Sequence, residues 1–155
     1  MPNDSSRPQR RKPANGVFIF RGQATIVFLT VCTERRVRWL ADPAVARDLV
    51  ASWQRADAWM IGRYVLMPDH LHLFCAPVNE VFTIESWITY WKRRFRRLHG
   101  NTGRRFQSDG FHHRLRQEES YDERWNYVRE NPVRAGLVER AEEWPFAGVL
   151  NELRW

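Results

Sequence analysis

The stretch that decides the fold is MPDHLHLF, residues 67–74, in which polar and apolar residues alternate. Successive side chains of a β-strand point to opposite faces, so His70 and His72 are predicted to share one face, and the leucines that follow them share the other. The leucines suit a hydrophobic core, which leaves the histidines as neighbours on the opposite face. Pro68 and Asp69 are turn formers and are predicted to join this strand to the preceding apolar strand in a hairpin.

Helices are predicted on both sides of this hairpin. Asp42 is a natural N-cap and Pro43 suits a first helical turn, so the first helix is expected over residues 43–57. Thr83 is the expected cap of the second helix, and Gly100 its expected end. The positions predicted to face the core, because they repeat at three and four residues, are Val45, Leu49, Trp53 and Ala56 in the first helix and Ile84, Trp87, Ile88, Trp91, Phe95 and Leu98 in the second.

Three further elements complete the pattern. Residues 17–33 form a first strand region, residues 104–116 contain a short final strand, and residues 117–131 form a third helix that Pro132 stops. The residues after it are predicted to be a turn and a packing tail. This order predicts an α+β fold, a ferredoxin-like antiparallel sheet (split βαβ) with helices on one face, plus an extra C-terminal helix that carries a tyrosine.

Length and composition favour one globular domain. Of the 155 residues, 43% are hydrophobic, so residues 16–155 are predicted to be a single domain and residues 1–15 a disordered basic tail. The apolar stretches are shorter than the roughly 20 residues that cross a bilayer, and the N-terminus has no apolar signal segment, so we expect a cytoplasmic protein without a membrane partner. Cys32 and Cys75 lie in apolar runs and are predicted to be reduced and buried.

The positive charge is concentrated in one segment. The formal net charge is +7, and residues 90–105 contain seven basic residues and no acidic one, so the rest of the chain sums to zero. Such a block indicates a polyanionic partner, nucleic acid before membrane, although a solvated charged helix face is the simpler alternative. The predicted DNA-binding residues are Lys92, Arg93, Arg94, Arg96, Arg97, Arg104 and Arg105.

The paired histidines are candidate metal ligands. Neutral imidazole is a good ligand for Mn²⁺ or Zn²⁺, and an acceptable one for Mg²⁺ beside oxygen ligands. Two histidines alone are a weak signal, because a bound ion needs a third ligand. Tyr127 and Asn131 are four residues apart on the third helix and therefore share a face. They are candidates for a nucleophile and an oxygen ligand, and the alternative is a surface tyrosine beside an asparagine that caps the next turn.

Two motifs together carry a family resemblance. MPDHLHLF (67–74), followed far downstream by YVRENPVRAGLV (127–138) and WPFAG (144–148), resembles the single-tyrosine transposases of the His-hydrophobic-His endonuclease superfamily. Within that superfamily, the chain is most similar to the transposases associated with repetitive extragenic palindromes. The strand motif alone is weakly specific, and the pair of motifs in this order is strongly specific.

The resemblance implies an activity and a set of site residues. It implies metal-dependent cleavage of single-stranded DNA beside a hairpin, through a 5′-phosphotyrosine intermediate, followed by strand transfer. His70, His72 and Asn131 would be ligands of Mg²⁺ or Mn²⁺, and Tyr127 would be the nucleophile. The partner would be single-stranded and hairpin DNA of palindromic repeats, and the protein would act as a monomer or a homodimer.

Two other classes of function stay open from the residues alone. One is a noncatalytic or degenerate hairpin-binding protein on the same fold. The other is a metal-dependent hydrolase that activates water, for which Asp69 is the acidic residue nearest the histidines in sequence. His112 and His113 lie near the last predicted strand, where a DNA contact and a plain surface position are both compatible with the sequence.

Overall fold

The computed structural model describes residues 25–79, 81–116 and 120–154, and its centre is a five-stranded antiparallel sheet. The elements in chain order are β1 (Val27–Cys32), α1 (Pro43–Arg55), β2 (Trp59–Leu66), β3 (His70–Pro77), α2 (Ile84–His99), β4 (Phe111–Arg114), α3 (Tyr121–Arg129), α4 (Asn131–Arg134) and β5 (Ala147–Val149). Short 3₁₀ turns follow β1 and precede β5.

The strand order is β4-β1-β3-β2-β5. β3 lies between β1 and β2, and β1 lies between β3 and β4, so each βαβ unit is split by a strand from the other unit. This arrangement confirms the predicted ferredoxin-like α+β fold. The hairpin predicted at Pro68 and Asp69 is confirmed by the direct pairing of β2 and β3.

Each face of the sheet carries its own core because the side chains alternate along the strands. Leu71, Leu73 and Cys75 of β3 are buried beneath α1 and α2, together with the tryptophans of both helices. On the other face, Phe74 packs with Val128 of α3. The tyrosine-bearing helix therefore lies on the sheet face opposite α1 and α2.

The helix ends are largely those predicted. Asp42 accepts hydrogen bonds from the first amides of α1, Thr83 accepts one from Ser86 of α2, and Gly100 adopts a left-handed conformation (φ 72°) after α2. α1 ends at Arg55, two residues before the predicted end.

The prediction that Leu98 faces the core is wrong, because its surface is 55% exposed. In the last turn of α2 it is His99 that turns inward. Its ring stacks on Phe95, with 5.1 Å between ring centroids, and its Nδ1 lies 2.8 Å from Asp48 Oδ2 of α1. Phe95 and His99, four residues apart, therefore lie on the same inward face of α2, and Leu98 lies on the outer face.

The C-terminal part differs from the prediction in two respects. Pro132 does not simply end a helix, because it lies in the first turn of α4, a position that proline favours. The predicted packing tail contains β5, which pairs with β2, so β4 is not the last strand. A three-residue strand has too little periodicity to be read from sequence. Gly148 makes room for the ring of Tyr64, since a Cβ there would lie 2.9 Å from Tyr64 Oη and the ring would have to shift.

Several expectations concern residues outside the described part, namely the basic tail over residues 1–15 and residues 17–24 of the first strand region. Cys75 is fully buried, which raises the pKa of its thiol, and Cys32 is half-buried; both are free thiols. Across the described ranges, no helix combines the length and the apolar character needed to cross a membrane.

Candidate active site and nucleic-acid interface

His70 and His72 lie side by side on β3, on the face opposite the buried leucines. Their ring centroids are 4.9 Å apart, and the rings are nearly perpendicular. On the neighbouring strand, Thr30 is paired with His72 and Cys32 with His70. The adjacency predicted from the alternating sequence is confirmed.

Each imidazole is held by an oxygen atom at the same ring position. Nδ1 of His72 lies 2.8 Å from Thr30 Oγ1, and Nδ1 of His70 lies 2.7 Å from Asp69 Oδ1. A carboxylate only accepts hydrogen bonds, so Nδ1 of His70 carries the hydrogen and its Nε2 keeps a lone pair. Histidines that bind metals show this arrangement, in which an oxygen partner fixes the tautomer and the ring orientation.

The electrostatic environment favours neutral His72. Burial, with smaller contributions from the charges of His70 and Arg124, lowers the pKa of His72 to about 3. Burial is the largest single influence on the pKa of Asp69 and raises it. The hydrogen bonds from Arg36 and His70, together with the charges of these two residues, lower the pKa by more, so the net shift is downward. A neutral imidazole beside an ionised carboxylate suits a divalent cation, because both groups are in the forms that bind metals.

Tyr127 and Asn131 lie beyond direct contact with this pair. α3 is docked on the sheet by Tyr121, whose ring centroid lies 4.9 Å from that of Phe74. Tyr127 is 64% exposed. Within the described ranges, no hydrogen bond or ring contact joins Tyr127 or Asn131 to either histidine. Their roles as nucleophile and third ligand remain predictions.

Arg134 of α4 connects these two residues. Its guanidinium lies 4.1 Å from the centroid of the Tyr127 ring and donates a hydrogen bond of 2.7 Å to the Tyr127 carbonyl. The same guanidinium donates to Asn131 Oδ1. The amide oxygen predicted to bind a metal is therefore engaged by a cation in this conformation.

The fit to a divalent cation is partial. Two imidazoles stand side by side, and burial favours the neutral form of His72. In the part of the chain that the structure describes, no three His, Cys, Asp or Glu side chains are grouped as a metal site. An amide oxygen falls outside that kind of set, and the assignment of Asn131 as the third ligand stays a prediction.

Sequence reasoning missed Arg124. Its guanidinium carbon lies 5.1 Å from the centroid of the Phe28 ring, and the Phe28 ring stacks on His72 with 5.1 Å between centroids. The available signal was helical spacing, since residue 124 is three positions before Tyr127 and therefore on a neighbouring part of the same helix surface.

The basic segment forms a cleft on α2 and the loop that follows it. The cleft has a volume of about 690 Å³ and also contains Glu34 and Asp109. The predicted DNA-binding residues that line it are Lys92, Arg93, Arg96, Arg104 and Arg105. Arg94 and Arg97 do not line it, and Arg94 instead donates a hydrogen bond of 3.3 Å to Tyr90.

Two of these cations are held by neutral acceptors. Lys92 Nζ donates to the Gln107 carbonyl at 2.8 Å, and burial lowers the pKa of Lys92 to about 8. Arg104 Nη1 lies 2.9 Å from Nε2 of His99. An arginine only donates, so His99 accepts at Nε2 and donates from Nδ1 to Asp48. Among the described residues, the one carboxylate within 4.0 Å of either cation is that of Asp42, whose Oδ1 lies 4.0 Å from Arg104 Nη1.

β4 is one edge of the sheet and carries an exposed aromatic residue. Phe111 pairs with Thr30 and His113 with Phe28, so both lie on the face of the histidine pair. Phe111 is 70% exposed. His112 points to the other face, where its Nε2 lies 3.2 Å from Glu85 Oε1 of α2.

Comparisons with known proteins agree with this description. No family model matches the chain. The REP-associated tyrosine transposase of Escherichia coli (strain K12) is 22% identical over 104 residues, which are 65% of this chain and 61% of that protein. A solved structure described as a REP-associated tyrosine transposase bound to a REP hairpin superposes with a TM-score of 0.63 and 22% identity, over 84% of this chain and 82% of that one.

The fold is that of a REP-associated tyrosine transposase. The relationship is distant, and it is seen in both sequence and structure. The chain spans about 61% of the length of the relative from Escherichia coli. The REP-associated tyrosine transposase fold places the histidine strand at the centre of the sheet and α3 across the same face, which brings the two motifs recognised in the sequence onto one side of the molecule.

Proposed function

We propose that this protein is a metal-dependent single-stranded DNA endonuclease and strand transferase that acts beside hairpins through a 5′-phosphotyrosine intermediate. The observation that carries the proposal is the fixed orientation of the two imidazoles. Asp69 and Thr30 engage Nδ1 of His70 and His72, which leaves both Nε2 atoms as ligand positions on the sheet face that α3 covers. The distant relationship to a REP-associated tyrosine transposase supports the reaction class.

The metal site would consist of residues from two parts of the chain. His70 and His72 would each bind Mg²⁺ or Mn²⁺ through Nε2, and Asn131 would bind through Oδ1 once Arg134 releases that atom. A bound divalent cation supplies stabilisation of negative charge on phosphate oxygens. The role of the chain is to hold the ligand atoms and to keep His72 neutral.

Tyr127 would be the nucleophile. Its phenolic oxygen forms a bond to the phosphorus atom as the bond from phosphorus to O3′ breaks, and the departing oxygen takes a proton to give a free 3′-OH. The phosphodiester is thereby exchanged for a phosphotyrosine, so a second 3′-OH can reverse the step and join another strand without a nucleotide cofactor. The exposure of Tyr127 is consistent with access to DNA, and a phenol is a weak nucleophile unless a neighbouring group helps it to lose its proton.

DNA would contact two regions connected by the β4 edge. The cations of the cleft would neutralise backbone phosphates of a hairpin stem, and each contact contributes about one unit or less to the salt dependence of binding. The exposed ring of Phe111 would stack on an unpaired base as the strand passes the edge towards the histidine pair.

A hairpin-binding protein without cleavage activity is the second candidate. It is favoured by one observation, the engagement of both Tyr127 and Asn131 by Arg134. If this contact persists on DNA, the catalytic set would not assemble and only the cleft and the aromatic edge would act.

The deciding experiment is incubation with single-stranded hairpin DNA carrying unpaired flanks and Mg²⁺ or Mn²⁺. An adduct that withstands denaturant is expected for the unchanged protein. Tyr127→Phe should abolish the adduct and retain DNA affinity, and Tyr90→Phe, which alters another exposed tyrosine, is the matched control and should leave the adduct unchanged. Absence of an adduct with the unchanged protein across such substrates would support the binding protein instead.

A further inference from the structure

Arg124 has an unusual environment among the arginines near the candidate active site. It lies on the surface of α3 that faces the sheet, and its guanidinium covers the ring of Phe28. Its Nε is buried and has no hydrogen-bond partner among the residues that the structure describes. A buried donor left without a partner is destabilising, so an external acceptor would remove this penalty.

Neighbouring arginines are paired with oxygen acceptors, whereas Arg124 has no such partner in the described part of the chain. Arg129 of the same helix lies 2.8 Å from Glu142, and Arg63 of β2 lies 2.7 Å from Asp122. Arg134 donates to two oxygens of α3 and α4. Within the described ranges, no carboxylate lies within 4.0 Å of the Arg124 guanidinium, and its side chain makes no hydrogen bond.

The position of Arg124 connects the three parts of the candidate site. The Phe28 ring contacts both groups, since its centroid lies 5.1 Å from the guanidinium carbon of Arg124 and 5.1 Å from the centroid of the His72 ring. Tyr127 follows three residues later on the same helix, one turn away. A group bound by Arg124 would therefore lie beside both the histidine pair and the α3 surface that carries the phenol.

We infer that Arg124 binds a non-bridging oxygen of the phosphate at which the DNA strand is cut. This inference rests on the proposed function and adds a catalytic residue to it. A guanidinium presents a planar set of donors that matches a phosphate, and here the aromatic ring beneath it restricts its orientation. Its charge would oppose the negative charge that builds on the phosphate oxygens as Tyr127 attacks and O3′ departs. No proton is transferred to or from Arg124 in this role.

The test separates a phosphate contact from a structural role. A hairpin with an unpaired flank is prepared with a neutral methylphosphonate in place of one flank phosphate at a time. The affinity for each DNA is measured without added metal, in proteins that all carry Tyr127→Phe. Three proteins are compared: one that keeps Arg124, one with Arg124→Gln and one with Arg124→Lys. Arg129→Gln is the matched control, because it removes the same charge from the same helix but from a residue paired with Glu142.

One position of the flank should behave differently from the others. There, neutralising the phosphate weakens binding by the protein with Arg124, by roughly tenfold, and has no effect on the Arg124→Gln protein. Arg124→Lys should keep a smaller effect at the same position, and Arg129→Gln should keep the full effect. The inference is wrong if Arg124→Gln does not change the loss of affinity caused by a methylphosphonate at any position, or if it reduces that loss equally at every position.

A kinetic measurement in the Tyr127 protein completes the test. At saturating DNA, Arg124→Gln should slow adduct formation by roughly 100-fold or more, since a lost donor to a developing charge has this size of effect. The two proposals fail in different ways. Absence of any Tyr127-dependent adduct overturns the enzymatic function, whereas the methylphosphonate profile judges the Arg124 contact without requiring cleavage.

Discussion

Thr30 of β1 and His72 of β3 are joined by a contact of 2.8 Å between Oγ1 and Nδ1, across the two central strands. This contact orients the candidate ligand whose pKa is lowered by burial. Its counterpart is the 2.7 Å contact between Asp69 and His70. Both imidazoles are thus oriented by groups other than the DNA or the cation.

Loss of the Thr30 hydroxyl should weaken metal binding. Thr30→Val keeps the shape of the side chain and removes the oxygen partner of His72, so the ring can rotate or change tautomer. Mutation of such partners typically costs about 10–100-fold in metal affinity. Titration with Mn²⁺, followed by electron paramagnetic resonance, measures the effect. Thr89→Val, at an exposed position of α2, is the control; equal affinity of the Thr30→Val and unchanged proteins would argue against this orienting role.

Release of Asn131 should strengthen metal binding. Arg134 donates to Asn131 Oδ1, so Arg134→Gln removes a competitor for the predicted third ligand. We expect Mn²⁺ affinity to rise by up to roughly tenfold, since a hydrogen bond to a charged group is worth about 1.5–3 kcal/mol and part is recovered by other contacts. The gain should vanish in the double variant with Asn131→Ala. A gain that survives in the double variant would show that Asn131 is not the ligand.

Removal of the exposed ring on β4 should weaken binding to unpaired DNA. Phe111→Ala is expected to cost about 1–3 kcal/mol of affinity for a hairpin with a single-stranded flank, the usual contribution of one stacked base. Fully paired hairpin should bind as before. Phe82→Ala is the control, because Phe82 is also exposed but lies before α2. Equal losses for paired and flanked DNA would place Phe111 outside the path of the single strand.

The affinity for DNA should fall above pH 8 because Lys92 loses its positive charge. Burial lowers the pKa of Lys92 to about 8, and Lys92 is the only lysine in the sequence besides Lys12. As the pH rises from 7 to 9, the free protein loses this charge, and binding to phosphate must then take up a proton. The Kd should rise by at most about tenfold per pH unit above 8. The Lys92→Gln protein should bind DNA more weakly than the unchanged protein at pH 7, and its Kd should not show this rise above pH 8.

Arg93→Gln serves as the comparison for Lys92. Arg93 lines the same cleft, but its guanidinium stays charged over this range. Its removal should lower the affinity by a similar factor at every pH. If the Lys92→Gln protein retains the full pH dependence of DNA binding, another group loses its charge in this range and Lys92 is not the cause.

The sequence predicted the features that depend on short periodic patterns. The alternation in residues 67–74 predicted which face each side chain of β3 occupies, and the residue types of Asp42 and Thr83 predicted the starts of both long helices. These are local effects of backbone geometry, so neighbouring residues determine them. The order of the first four strands followed from the sequence of elements, whereas β5 did not.

The remaining features depend on contacts between distant segments. Leu98 was predicted inside because it fits the helical stripe, but the hydrogen bond of His99 to Asp48 decides the last turn. β5 exists because β2 offers it an edge, and its three residues have no pattern of their own. Arg124 is notable only when the stack of Phe28 on His72 is known, which requires β1, β3 and α3 together.

In the proposed reaction, a phenol from α3 attacks a phosphate held beside two imidazoles from β3. The most direct measurement is mass spectrometry of the peptides released from the denatured protein–DNA adduct after nuclease and protease digestion. The account predicts a residual nucleotide bonded through its 5′-phosphate to the peptide that contains Tyr127, formed only when His70 and His72 are both intact. A nucleotide on any other residue, or the same adduct in a His70→Ala protein that is folded, would contradict it.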